Sequence, residues 1–283
     1  MFKPGIHTGV EMDAYRADPG VASSDLSALK RSPAYARLRR ETISESTPAM
    51  RFGTAVHTAV LEPELFDRQY AEDPQHPEHG GYPKGWRNTK AYKALAQEVR
   101  DSGREPLSAE HMHACESIRR NVLAHSTGSL ITEVQDAPEV SVFAHDQELD
   151  VRRKIRPDLL VSRASMVVDL KTTNDPGAFR RTVQKFGYHR SAAYYLDTLG
   201  LLGETYDHYV FLVVATDAPY EVFAFTLDDD SIEQGRYEYR QLLREYAACM
   251  SSGDWPLPNT GIEEVRLPEY AINYHLDSEE IAA

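Results

Sequence analysis

Met166-Val167-Val168 reads as a strand buried in the middle of a sheet, and it runs straight into Asp169-Leu170-Lys171. An acidic group at the tip of a buried strand is costly unless it is paired or bound to a metal, so the fold has to surround it with suitable partners. Side chains two positions apart on a strand share a face, which points Asp169 and Lys171 the same way. Ten residues upstream stands Pro157-Asp158, near the end of another strand, and a hairpin joining the two strands would bring Asp158 to the same place. Two carboxylates beside an ammonium suit a hard cation such as Mg²⁺, which keeps waters and binds substrate phosphate. A cation of that kind activates water for phosphodiester hydrolysis. In isolation, the same spacing more often marks a salt bridge on a solvent-facing strand.

The remaining pattern describes an α/β chain with an N-terminal helical elaboration. Residues 1–20 are extended and turn-rich, after which Ser23 and Ser24 offer an N-cap for a helix DLSALKR that Pro33 ends. A short helix PAYARLRRE follows. MRFGTAVHTAVLEPELF then sets Phe52, Val56, Ala59 and Val60 at helical spacing, ends near Pro63 and carries His57 on its first turns. Residues 72–90, rich in Pro, Gly, His and Asn, read as a long loop. Helices are expected over 90–101 and 108–125, the second begun by Ser108. From Pro138 the period changes to strands: EVSVFAH, ELDVRRKIRPDLLVS and MVVDLKTT. FRRTVQKFGYHRSAAYYLDTLGLL holds a helix or two, YDHYVFLVVAT and YEVFAFTL restore strand character, and SIEQGRYEYRQLLREYAACMSSG is an amphipathic helix with Gly253 as its stop.

With 283 residues, 41% hydrophobic and 27% charged, the chain can bury one sizeable core or two small ones. No run approaches the roughly 18–20 apolar residues of a membrane span, and MFKPGIHTG lacks the apolar region of a secretory signal, so a cytoplasmic, non-membrane protein is expected. Cys115 and Cys249 stand outside any metal or disulfide spacing and read as ordinary helix residues. The net charge of −13 alone speaks against a nucleic-acid partner. Residues 151–190, however, hold ten Lys/Arg against three Asp, a local +7 that leaves −20 for the remainder. Such a segment is either a solvated charged face or the footprint of a polyanion.

PDLLVSRASMVVDLKTT resembles the catalytic hairpin of the PD-(D/E)xK nucleases, and within them the exonuclease VIII (RecE) type of phage and prophage recombination exonuclease. The resemblance is wide: RADPGVASSDLSALKRSPAYA is similar to that family's N-terminal segment, MRFGTAVHTAVLEPELF to its histidine helix, GYHRSAAYYLD to the motif after the hairpin, and DWPLPNTGIEEVRLPEYA to its C-terminal ending. It implies a PD-(D/E)xK core, a central mixed β-sheet flanked by helices. The implied domain spans 1–283, mainly helical over 1–135 and with the catalytic sheet and C-terminal helix in 136–283.

The resemblance also implies roles. Asp158 and Asp169 would be metal ligands, Lys171 would orient or activate the attacking water, and His57 would be a further ligand, suited to Mn²⁺ and tolerable for Mg²⁺. Glu139 could add a carboxylate or be a surface residue at a strand end. One or two ions are expected per site. Where the family often has Gln, this chain has Ser191, too short to reach DNA or Lys171 except through water; Tyr188 and Tyr195 stand at the family's tyrosine positions. The basic cluster Lys30, Arg31, Arg37, Arg39 and Arg40 reads either as a solvated helix face or as a grip on a DNA end, with Ser24 and Lys30 or Arg31 as a pocket for a terminal phosphate. Arg153 and Arg156 complete the expected DNA contacts.

The implied activity is a Mg²⁺-dependent exodeoxyribonuclease that degrades one strand of linear double-stranded DNA 5′ to 3′ and leaves 3′ tails for annealing. A ring-shaped homo-oligomer threading DNA and a single-strand annealing protein of the RecT kind as partner come with it. The same centre could instead serve an endonuclease or a single-strand nuclease, and a catalytically silent DNA-binding protein is the alternative from another class.

Overall fold

The computed structural model describes residues 1–42, 46–78, 80–128, 138–258, 261–262 and 264–268. Parts of the expected C-terminal ending (259–260, 263 and 269–271), together with 136–137 and the chain after 271, lie outside the described residues. The first half is mainly helical: β1 (Gly5–His7), α1 (Met12–Ala17), α2 (Ser23–Leu29), α3 (Pro33–Glu41), α4 (Pro48–Leu61), α5 (Pro63–Gln69), β2 (Tyr70–Glu72), α6 (Lys90–Asp101), β3 (Glu105–Leu107) and α7 (Ala109–Ala124). The second half holds β4 (Ser141–Asp146), β5 (Val151–Ile155), β6 (Leu159–Val161), β7 (Met166–Thr173), α8 (Phe179–Phe186), α9 (Tyr188–Gly200), β8 (His208–Ala215), β9 (Val222–Thr226) and α10 (Asp229–Ser252). None of the described helices is long and apolar enough to cross a membrane.

Two sheets carry this half. The order β6-β7-β8-β9 is mixed, antiparallel at both edges and parallel between β7 and β8, while β1, β4 and β5 form an antiparallel sheet. The stretch expected as a single strand, ELDVRRKIRPDLLVS, is therefore split between sheets. Pro157 has no N–H to give a ladder, and the chain leaves one sheet at Ile155 and enters the other at Leu159.

Alternation along β7 sorts the core. Val167 packs with Phe211, Val213 and residues of α2, α9 and α10, whereas Val168 and Leu170 pack on the other face with Leu212, Val214 and the apolar sides of α4 and α7. Cys115 and Cys249 are buried helix residues, as expected. The first face also fixes the N-terminus: Val21 bridges Arg153, and the buried Tyr194 hydroxyl donates to the Val21 carbonyl at 2.7 Å. That docking brings α2 against α9.

Most cations of the basic stretch 151–190 are spent inside the fold, so a polyanion footprint cannot extend over the whole of it; Arg180, Arg181 and Lys185 are the exposed ones on α8. Arg152 donates to Asp18 at 2.7 Å, and the Lys154 ammonium donates to the carbonyls of Tyr15, Arg16 and Asp18. Arg190 donates to Glu238 at 2.9 Å. Arg153 is buried, ion-paired with Asp146 and 3.4 Å from the Tyr239 hydroxyl, which removes it from the expected DNA contacts.

Candidate active site

The site sits where β6 stops short. β6 pairs with only the first half of β7, Leu159 opposite Val168, so beyond that point one edge of β7 lacks a strand partner. Asp158 precedes Leu159 and fills the gap with its side chain: Oδ2 accepts from the Leu170 amide at 2.6 Å, satisfying a donor that the ladder would otherwise orphan. Its other oxygen lies 3.5 Å from His57 Nδ1. Asp169 and Lys171 share the face opposite the buried Leu170, with Nζ 2.5 Å from Asp169 Oδ2. The hairpin pairing thus brings Asp158, Asp169 and Lys171 together.

His57 arrives on α4. Thr47 caps this helix by accepting from the Met50 amide, Pro48 starts it, and Pro63 begins the next one. Because the helix begins at Pro48, His57 is its tenth residue and not on the first turns. Gly53 lets α4 approach β7: a Cβ there would stand 3.3 Å from Thr172 Oγ1. Glu139 does not open a strand; it precedes β4 with φ of +54°, its amide donating to the Asp158 carbonyl at 3.0 Å. Arg156 holds the Glu139 carboxylate at 2.9 Å and is itself tied to the Val10 carbonyl and Ser141 Oγ.

His57, Glu139 and Asp158 offer ligand atoms within 4.8 Å of one another, a set that can hold a metal ion. Asp169, expected as a ligand, stands beside this trio against Lys171. Burial pushes the carboxyls of Asp169 and Glu139 above the ordinary carboxylate range despite their cationic neighbours. Asp158 is also opposed by burial, yet His57 and then Lys171 and the Leu170 amide hold it below that range. Burial works against charge on His57 and Lys171 too, and the aspartates outweigh it, leaving both above their usual values. Three carboxylates, Glu139, Asp158 and Asp169, thus stand in one cleft with Lys171, Arg156 and His57, and a divalent cation would add positive charge beside the donor atoms of His57, Glu139 and Asp158. Two carboxylates and an imidazole are donors that Mn²⁺ and Mg²⁺ accept.

These groups line a cleft of about 730 Å³. Ser24, Tyr188, Ser191 and Tyr195 line it as well. Ser191 Oγ is 2.6 Å from Ser23 Oγ, tying α9 to α2. Tyr195 points its hydroxyl at the Arg156 carbonyl, and the Tyr188 ring lies 5.3 Å from Lys171 Nζ. Ser24 is not the helix cap: α2 starts at Ser23, with the Asp25 carboxylate accepting from the Ala22 amide. Lys30 and Arg31 stand past the other end of α2, Arg31 stacked on Tyr35 at 4.1 Å, and neither lines the cleft. The structure thus does not bring Ser24 together with Lys30 or Arg31. Tyr209 and Phe186 line the cleft unanticipated. Tyr209 comes from β8 and, with burial as the main cause and Asp169 beside it, its hydroxyl is held well above the usual tyrosine range; the alternation of YDHYVFLVVAT was the one available signal for its facing.

A mixed sheet between two helical layers, with PD and DxK residues converging at its opened edge, is the arrangement of a PD-(D/E)xK nuclease. Residues 22–268 match the PDDEXK-like domain of unknown function (DUF3799), and the chain belongs to that family. Among solved structures it is similar to a "putative exonuclease" from Eubacterium rectale, with a TM-score of 0.59 and 11% identity over 86% of this chain and 87% of that one, a likeness of fold. No curated protein matches the chain.

Proposed function

We propose that this nuclease is a divalent-metal-dependent exodeoxyribonuclease that hydrolyses one strand of linear double-stranded DNA 5′ to 3′, leaving 3′ single-stranded tails for recombination by annealing. The observation that carries the hydrolytic reading is the convergence of Asp158, Asp169 and Lys171 with His57 and Glu139 in one cleft. Polarity, the annealing partner, the ring-shaped oligomer and a cytoplasmic setting rest on the sequence resemblance to the exonuclease VIII type.

His57, Glu139 and Asp158 would hold Mg²⁺ or Mn²⁺, with Asp169 at hand for the same or a second ion. Once bound, the cation would polarise the phosphate and make water more acidic. Lys171, kept charged by Asp169 and Asp158, presents its ammonium to the anionic phosphate and can hydrogen-bond an attacking water. Asp169 and the Tyr188 ring fix that ammonium in place. Arg156 holds Glu139 toward the cleft, and Asp158 is oriented by the Leu170 amide. Attack in line with the leaving oxygen needs no covalent enzyme intermediate.

Linear duplex labelled at one 5′ end or one 3′ end, incubated with Mg²⁺ or EDTA beside a closed circle, tests this reading. Mg²⁺-dependent release of mononucleotides from the 5′ label with the circle untouched is expected. Cutting of the circle identifies an endonuclease, and no cutting in Mg²⁺ or Mn²⁺ identifies a binding protein.

A further inference from the structure

We propose that α8 guides a DNA end into the cleft, Phe186 stacking on the terminal base while Arg180, Arg181 and Lys185 hold the phosphates behind it; this rests on the nuclease reading above. The cations of 151–190 that lie inside the fold have carboxylate or carbonyl partners, as described. Arg180, Arg181 and Lys185 differ: all three are exposed, and none makes an ion pair among the described residues. They sit on one two-turn helix, and no acidic residue occurs between Asp175 and Asp197 to neutralise them. In a chain with 44 carboxylates and a net charge of −13, three adjacent unpaired cations make a local positive field that attracts a polyanion.

The helix leads to the reacting groups. Phe186, its last residue, is 54% exposed and lines the cleft. Its ring centroid is 5.8 Å from that of Tyr188, which lies 5.3 Å from Lys171 Nζ. A half-exposed aromatic ring two ring contacts from the charges of the cleft offers a stacking platform to a base, and Lys185, 5.4 Å over the Phe186 ring, is a flexible cation that a base can displace or join. Gly187, with φ of +70°, turns the chain directly from α8 into α9, the helix that carries Tyr188, Ser191 and Tyr195, so platform and site are held in fixed relation. Arg180 lies roughly 9 Å farther back along the helix, at 1.5 Å per residue, where the next phosphates of an entering strand would pass.

The test measures binding of the full chain to blunt duplex DNA by fluorescence anisotropy in EDTA, across a salt series. Each phosphate contact contributes about 0.9 to the slope of log affinity against log salt. The combined variant Arg180→Gln, Arg181→Gln, Lys185→Gln is expected to lower the slope by about 2–3. Phe186→Ala is expected to weaken binding to an intact end by about tenfold, the size of one base–aromatic stack. It should leave binding to a duplex with abasic terminal nucleotides unchanged, and Phe186→Trp should restore the preference for the intact end.

An unchanged slope in the combined variant, equal loss on intact and abasic ends, or no DNA binding by the parent protein would each overturn the proposal. Adding Mg²⁺ or Mn²⁺ to the same samples separates it from the nuclease reading. Binding with the expected slope but no nucleotide release refutes the nuclease alone, and release with an unaltered slope refutes the guide alone. Melting curves identify a misfolded variant, in which case Arg180→Gln, Arg181→Gln without Lys185 is read in its place, with an expected slope change of about 2.

Discussion

The Leu170 amide donates to Asp158 Oδ2 at 2.6 Å, joining the residue between Asp169 and Lys171 to the third member of the set. A backbone donor left over at the end of a short strand pairing is thereby used to aim a carboxylate. Asp158 consequently turns its second oxygen to His57, and the site's geometry follows from where β6 ends.

Arg156 is expected to act on metal affinity through Glu139. It donates to the Glu139 carboxylate at 2.9 Å and is anchored by Val10 and Ser141. Partners that orient a metal ligand are typically worth about 10–100-fold in affinity. Titration of Arg156→Ala with Mn²⁺ by calorimetry should show a loss of that size, and wild-type affinity would remove Glu139 from the metal set.

Gly235 on α10 is where that helix presses on the backbone of α9: a Cβ there would lie 2.3 Å from the His189 carbonyl oxygen. Neither partner can yield as a flexible side chain would. Gly235→Ala should therefore cost about 1–3 kcal/mol, the range for overpacking, visible as a lower Tm, and should impair cleavage because α9 carries Tyr188 and Ser191.

Glu238 carries a pH signature. Burial opposes its charge, but hydrogen bonds from Gln234, Arg190 and His189 lower its pKa to about 2. A carboxylate depressed in the folded state stabilises above its unfolded value and loses that contribution as pH falls through the folded one. Glu238→Gln should therefore melt below the parent protein at pH 7, with the gap closing between about pH 4.5 and pH 2. A gap that stays constant with pH would contradict the assignment.

The shared face of Asp169 and Lys171 was legible because strand alternation is strict, and Asp158 followed once the hairpin was assumed. His57 and Glu139 were not legible from spacing: they come from a distant helix and a turn, and only the family resemblance placed them near the centre. Arg153 misled because sequence cannot distinguish an outward cation from one whose partner, Asp146, folds in beside it. The grouping of Ser24 with Lys30 and Arg31 failed because α2 begins at Ser23 and leaves them at opposite ends. Phe186 was not legible because its periodicity matches that of a core residue, whereas in the structure it is the last residue of α8 and stands exposed.

In the proposed function, Asp158, Asp169 and Lys171 form a metal-dependent hydrolytic centre. The most direct measurement compares nucleotide release from linear duplex DNA in Mg²⁺ by the parent protein, Asp169→Ala and Lys171→Ala, with duplex binding followed in parallel. Mg²⁺-dependent release is expected from the parent, none from Asp169→Ala and nearly none from Lys171→Ala, with duplex binding retained by both. Cleavage by both variants at the parent rate would contradict this reading and place the chemistry elsewhere in the molecule.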